Sequence, residues 1–218
     1  FDEFGPLSRE PDVALTYLRA PDEIPRSAAV ILPGSRATAA DLAYLRRCRL
    51  AEAIRNFAEE GGHVVGICGG YQMLGRRLLD PDGVEGEGEV EGLNLLPVET
   101  VFADEKVTRS GRVSAAPLLG PGGPDGIIGY EIHHGRVRVE SGTPPALLTA
   151  SGEAEGARSA DGRIWGSAVH GLFQDDRFRR AWLNALRAGR GLPPLAPRAE
   201  DREIMFDAWA DCLKAHGD

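Results

Sequence analysis

The sequence predicts an α/β protein: an open, mostly parallel sheet with helices on both faces, extended by antiparallel strands. Three observations predict it. Two short, continuously apolar runs, residues 28–32 (Ala-Ala-Val-Ile-Leu) and 64–67 (Val-Val-Gly-Ile), have the length and composition of buried parallel strands. Each is followed by a turn of small residues and then by apolar residues at helical spacing. Short alternating runs then fill residues 93–159, separated by turn residues, as expected of antiparallel or mixed pairing.

In chain order, residues 13–19 (Val-Ala-Leu-Thr-Tyr-Leu-Arg) alternate and are expected to form a strand, and Pro21 and Pro25 then mark a loop. The run 28–32 ends in Pro33-Gly34-Ser35. Leu42, Leu45, Leu50, Ile54 and Phe57 recur on one face and predict a helix over 38–60, stopped by Gly61-Gly62. The strand at 64–67 leads into a helix over 69–79. Residues 80–91 are acidic and glycine-rich and read as a solvated loop. Strands are expected near 93–102, 110–115, 127–133, 135–139, 146–150 and 157–159. A last strand at 164–169 ends at His170-Gly171. Asp175 or Asp176 can cap a helix running to about residue 188, with Phe178, Trp182, Leu183 and Leu186 inward. A proline-rich linker (190–198) and a terminal helix (200–215) complete a single expected domain over 1–218.

The bulk properties narrow the function. A net charge of −8 argues against general binding to nucleic acid or to an anionic membrane. No apolar run approaches the roughly 20 residues that span a bilayer. Cys48, Cys68 and Cys212 form no paired-spacing motif, so neither a disulfide framework nor a thiolate metal site is expected; a reducing, cytoplasmic setting fits.

The chemistry concentrates at residues 63–75. A strand, the turn Gly66-Ile67-Cys68-Gly69-Gly70 and a helix make the layout of a nucleophile elbow, with Cys68 as the nucleophile. Free cysteine is often a small buried hydrophobe, but such a residue does not need three glycines within two positions of it. A nucleophile at a tight turn before a helix does, and the backbone N–H of Gly69 is then placed to donate to an oxyanion. A thiol nucleophile needs a base. His63 begins the strand and sits at its far end, and His216 is in the terminal tail. Among His133, His134 and His170, His170 follows a strand and lies at its C-terminal end, where open α/β sheets place their sites. The Pro33-Gly34-Ser35 turn also ends a buried strand and can supply a second oxyanion N–H, from Gly34 or Ser35.

These islands, with the order Pro-Gly-Ser, Gly-Ile-Cys-Gly-Gly-Tyr-Gln and Val-His-Gly, resemble the class I (triad-type) glutamine amidotransferases, whose sheet is flavodoxin-like. Within them the likeness is strongest to the cobyric acid synthase family, through residues 31–42, 66–75, 91–97, 129–135 and 170–173. The opening residues 1–7 (Phe-Asp-Glu-Phe-Gly-Pro-Leu) resemble the junction that follows that family's synthetase domain. The chain, starting at Phe1, is therefore expected to be part of a longer protein, with residues 1–12 as the junction.

The resemblance implies hydrolysis of glutamine by Cys68 and His170, with Gln72 helping to hold the substrate. Ammonia would pass to an N-terminal synthetase domain that uses ATP and Mg to amidate adenosylcobyrinic acid a,c-diamide, the corrinoid substrate. No G-x-x-x-x-G-K-[ST] motif occurs in this chain, so no cofactor is expected on it, and no metal. Lys106 and Arg109 are candidates to pair with the glutamine α-carboxylate; the alternative is a pair of solvated cations. Many relatives keep a glutamate two residues after the catalytic histidine, and here that position is Leu172. Glu131 or Asp175 then remains to orient His170, against the alternatives of a structural salt bridge and a helix cap, or the pair acts as a dyad. Two other functions are compatible with the elbow: an amidotransferase subunit acting on lipid II, and a non-catalytic docking module.

Overall fold

The computed structural model describes residues 3–86 and 88–197. A short helix α1 (Gly5–Ser8) and a 3-10 turn (Pro21–Arg26) precede strand β1 (Ala29–Leu32). Helices α2 (Thr38–Arg47) and α3 (Leu50–Glu59) lead to β2 (His63–Ile67), helix α4 (Gly69–Leu74), β3 (Arg77–Leu79) and β4 (Glu89–Glu91). The long strand β5 (Val98–Ser114), helix α5 (Ala116–Leu119) and β6 (Ile127–Val139) follow. The short strands β7 (Leu147–Thr149), β8 (Ala154–Glu155) and β9 (Ala157–Arg158) then lead to β10 (Ile164–Ser167) and helix α6 (Asp176–Ala188).

Two open mixed sheets result. The first runs β1-β2-β10-β9, with β1, β2 and β10 parallel and β9 antiparallel at the edge. The second runs β4-β3-β5-β7-β8, with β6 paired antiparallel to β5. Val30 lies opposite Val64 and Trp165 opposite Val65, so β2 is central and its carboxyl end is flanked on both sides. Alternation along β2 divides the core. Val64 packs with Leu42, Ile54 and Phe57 from α2 and α3, while Val65 and Ile67 pack with Phe178 and Trp182 from α6. Trp165, Phe173 and Phe178 are wholly buried, and Phe178 meets each of the other two edge to face. Each contributes about 1.5–3 kcal/mol by removal from water.

The differences from expectation have local causes. Residues 13–19 pair with no strand; Val13 and Leu18 touch different core clusters and Tyr17 is exposed. Their alternation reflects a surface crossing, not a ladder. The helix expected over 38–60 is two helices, broken at Arg49, whose φ of 60° is left-handed. The five-residue step from Leu45 to Leu50 is the trace of that break. The helix expected over 69–79 ends at Leu74, because Arg76 N–H turns to donate to Val98 O and starts the second sheet. The expected strands at 127–133 and 135–139 are one strand, β6, passing through Gly135 at a φ of 87°. The acidic loop is built rather than merely solvated. The Asp80 carboxylate accepts from the N–H groups of Val84, Glu85 and Gly86, and the Glu85 carboxylate accepts from Ala39 N–H at the start of α2. The helix expected over 200–215 lies outside the described residues. Among those residues no helix is long and apolar enough to cross a membrane.

Candidate active site

The turn after β2 is strained where the sequence places its thiol. Cys68 has φ 52° and ψ −111°, a conformation that costs a non-glycine residue about 1–3 kcal/mol. It persists because both flanks are fixed: Cys68 N–H donates to Ser167 O at 2.8 Å, and Cys68 O accepts from Gln72 N–H at 3.0 Å. Gly70 must be glycine, since a Cβ there would stand 2.0 Å from Leu32 O. The loop after β1 closes over the same point. A Cβ at Gly69 would lie 2.8 Å from Ser35 N, so the two loops pack backbone to backbone next to Cys68. Ser35 itself is held by its hydroxyl, which donates to Asp41 and accepts from Ala37 N–H.

His170 arrives from the far side. A Cβ at Gly34 would meet His170 Cε1 at 2.9 Å, His170 Nε2 at 3.6 Å and Cys68 Cβ at 3.8 Å. Gly34 thus sits where no side chain fits, between the Cys68 and His170 side chains. The Tyr130 ring stacks on the imidazole, with centroids 5.1 Å apart, and the two residues exchange backbone hydrogen bonds. His170 Nδ1 faces the Glu3 carboxylate at 2.9 Å. Burial disfavours the imidazolium, but hydrogen bonds to Cys68 and Glu3 outweigh it and push His170 up to about 10.

Strand β6 sorts the remaining candidates by parity. Tyr130 faces the imidazole, and the backbone of β6 meets the elbow: Cys68 Sγ lies 3.7 Å from Ile132 O, and Gln72 Nε2 donates to His134 O at 3.1 Å. Gln72 Oε1 also accepts from Thr38, so both ends of its buried amide hold the elbow against β6 and α2. Glu131 and His133 face the other way. Glu131 pairs with Arg109 at 2.9 Å and with His133 at 3.3 Å. Its burial opposes ionisation, but those two partners hold its carboxyl below the usual range. Neither acid considered for His170 is the one beside it. Glu131 is on the opposite face from Tyr130, and Asp175 caps α6 by accepting from Arg177 and Phe178 N–H. Arg109 is committed to Glu131, and Lys106 sits exposed on β5 opposite His134.

Sequence reasoning missed three residues at this site: Glu3, Tyr130 and Glu155. Glu3 lay in a stretch read as a junction, 167 positions from His170. Tyr130 carried a signal, being one residue before Glu131 and so on the opposite face. Glu155 carried none. Its carboxylate accepts from Ser167 Oγ at 2.7 Å and Ala168 N–H at 2.9 Å, clamping the backbone that delivers His170. Desolvation pushes Glu155 up to about 7 against the pull of those two donors. A carboxyl raised in the folded state takes up a proton on folding between about pH 4.5 and 7, so its contribution to stability falls as pH rises through that window. Glu155→Gln is expected to flatten that fall and to be the more stable form above pH 7, by a few kcal/mol at most. Denaturant midpoints of both proteins at pH 5 and pH 8 check it.

A thiol on a strained elbow and an imidazole beside it thus lie together at the carboxyl edge of an open α/β sheet. A family model described as CobB/CobQ-like glutamine amidotransferase domain matches residues 1–178, and the chain belongs to that family. Several curated relatives bear the name cobyric acid synthase. That of Jannaschia sp. (strain CCS1) is 49% identical over 219 residues, covering 99% of this chain and 42% of the relative. That of Trichormus variabilis is 44% identical over 226 residues, covering 100% and 45%. The chain thus spans less than half the length of these relatives. Among solved structures, a crystal structure of a glutamine amidotransferase aligns with a TM-score of 0.61 at 16% identity, over 85% of this chain and 92% of that one. The structure of PurLQS from Thermotoga maritima aligns with a TM-score of 0.52 at 18% identity, over 73% and 80%. At such identities the likeness is one of fold.

Proposed function

We propose that this chain is the glutaminase half of a cobyric acid synthase: it hydrolyses glutamine through a Cys68 thioester and supplies ammonia for an ATP-dependent amidation. The observation that carries this reading is the convergence of Cys68, His170 and the Gly34 loop, close enough that a Cβ added at Gly34 would meet both His170 Cε1, at 2.9 Å, and Cys68 Cβ, at 3.8 Å. The thiol proton passes to His170 Nε2, in keeping with its raised basicity, and Cys68 Sγ then bonds to the side-chain amide carbon of glutamine. The oxygen of the tetrahedral adduct is met by the N–H groups of Gly69 and the Gly34-Ser35 loop; one such donor is worth roughly 3–4 kcal/mol. The C–N bond then breaks, His170 returns the proton to the leaving nitrogen, and ammonia departs. Water, deprotonated by the same imidazole, attacks the thioester and releases glutamate and the thiol.

The ammonia is consumed elsewhere in the longer protein. No G-x-x-x-x-G-K-[ST] motif occurs in this sequence, and this reading places the binding of ATP, Mg and adenosylcobyrinic acid a,c-diamide on the remainder of the longer protein. An electrophilic glutamine analogue is expected to label Cys68 in the full-length protein, and excess glutamine to protect it. Peptide mapping that finds the label on Cys48 or Cys212, with Cys68 untouched, overturns the reading.

A further inference from the structure

Leu172 stands where many amidotransferases keep the glutamate that orients the catalytic histidine, and here it is fully buried in the second core. The charge that His170 needs comes instead from 167 positions upstream. Glu3 Oε2 lies 2.9 Å from His170 Nδ1, and Glu3 Oε1 accepts from Gly171 N–H at 3.1 Å. The carboxylate thus bridges the ring and the backbone that carries it. Both side chains are nearly buried, at 9% exposure for Glu3 and 13% for His170.

The arm that brings Glu3 there is anchored by other groups. Phe4 packs on Phe173 with ring centroids 5.8 Å apart, and Leu7 is in the second core. Glu10 receives Arg179 Nε at 2.7 Å and also pairs with Arg180. Asp12 receives Arg180 at 2.9 Å and Arg187 at 3.0 Å. Residues 3–12 therefore form a strap across α6 that ends on the imidazole.

We propose that Glu3 is the positioning residue of His170. It holds the imidazole with a proton on Nδ1, leaving Nε2, on the Gly34 and Cys68 side, as the base. An ionised carboxylate only accepts, so the nitrogen facing it must carry hydrogen. The glutaminase is then competent only when the N-terminal strap is docked. This inference rests on Cys68 and His170 acting as proposed above.

The test is Glu3→Gln in the full-length protein. The amide oxygen can still accept from Gly171, but its NH₂ donates to Nδ1 and fixes the opposite tautomer, with hydrogen on Nε2. Glutamine-dependent kcat is expected to fall about 10²–10⁴-fold, as loss of the orienting carboxylate does in serine proteases, with KM for glutamine nearly unchanged. The inflection of kcat/KM that tracks His170 should move to lower pH, since a neighbouring negative charge is gone. Glu3→Asp, which keeps the charge, should recover at least tenfold of the loss, and ammonia-dependent activity should persist in both. A Glu3→Gln enzyme within threefold of the parent, or an Asp variant no faster than the Gln variant, overturns the proposal. The two readings fail separately. If Cys68 of the unmodified protein resists the glutamine analogue, the function is wrong; if it labels, and Glu3→Gln labels equally fast, only the role of Glu3 is wrong.

Discussion

Replacing Cys68 with serine in the full-length protein is expected to lower glutamine-dependent amidation by at least about 10³-fold while leaving ammonia-dependent amidation intact. The asymmetry follows from where the thiol acts. A hydroxyl at this elbow is a weak nucleophile toward an unactivated amide. The substitution is close to isosteric, so the strained backbone, the hydrogen bond to Ser167 O and the oxyanion loop stay in place. Only the step that makes ammonia is lost, and added ammonium salt bypasses it. Parallel assays with glutamine and with ammonium chloride decide the matter. Equal loss in both would mean that the elbow serves assembly; retention of the glutamine-dependent rate would remove Cys68 from the chemistry.

The second large effect is on stability. Arg179 and Arg180 are each 2% exposed on α6, and the Glu10 carboxylate, also 2% exposed, lies between them. Arg179 is further satisfied by Phe173 O and Asp176, and Arg180 by Asp12. Such a cluster adds little net stability over an apolar core, but removing one member strands the others. Glu10→Ala leaves two buried guanidinium groups short of their shared anion and is expected to cost about 3–5 kcal/mol. In a domain of this size that is a drop in melting temperature of roughly 10 °C. Calorimetry or denaturant unfolding measures it, and a loss below about 1 kcal/mol would show that the cluster relaxes onto water. Because the same residue anchors the strap, glutamine-dependent activity should decline at temperatures where the variant is still folded.

The parallel half of the fold was legible because its signals are local. Apolar runs of four or five residues ending in glycine-rich turns can hardly be anything but buried strands, and β1, β2 and β10 are where those runs lie. Cys68, Gly69, Gly34 and His170 were legible for the same reason: each marks the carboxyl end of such a strand. The second sheet was less so. The β5–β6 ribbon is one long pairing whose register jumps between Val101 and Lys106, and a jump in register leaves no mark in composition. Glu3 was out of reach because its partner is named by no spacing. Only docking of residues 3–12 on α6 brings a carboxylate to His170, and an acidic residue near a chain end otherwise resembles any solvated charge. Glu131, in the Tyr-Glu-Ile-His-His run, and Asp175, five residues past His170, were attractive in sequence, yet strand parity and a helix cap engage them.

The central position of β2 has a consequence for how the molecule is made. Its neighbour β1 precedes it, but its other neighbour, β10, is synthesised about a hundred residues later, and the strap waits longer still for α6. At ribosomal rates of about 5–20 residues per second, roughly 5–20 seconds separate the emergence of the thiol from that of its imidazole. Throughout that interval β2 presents one unpaired edge and Cys68 lacks its base. A nascent chain of this protein is therefore chemically silent toward glutamine, and its half-built sheet is what a chaperone would have to shield.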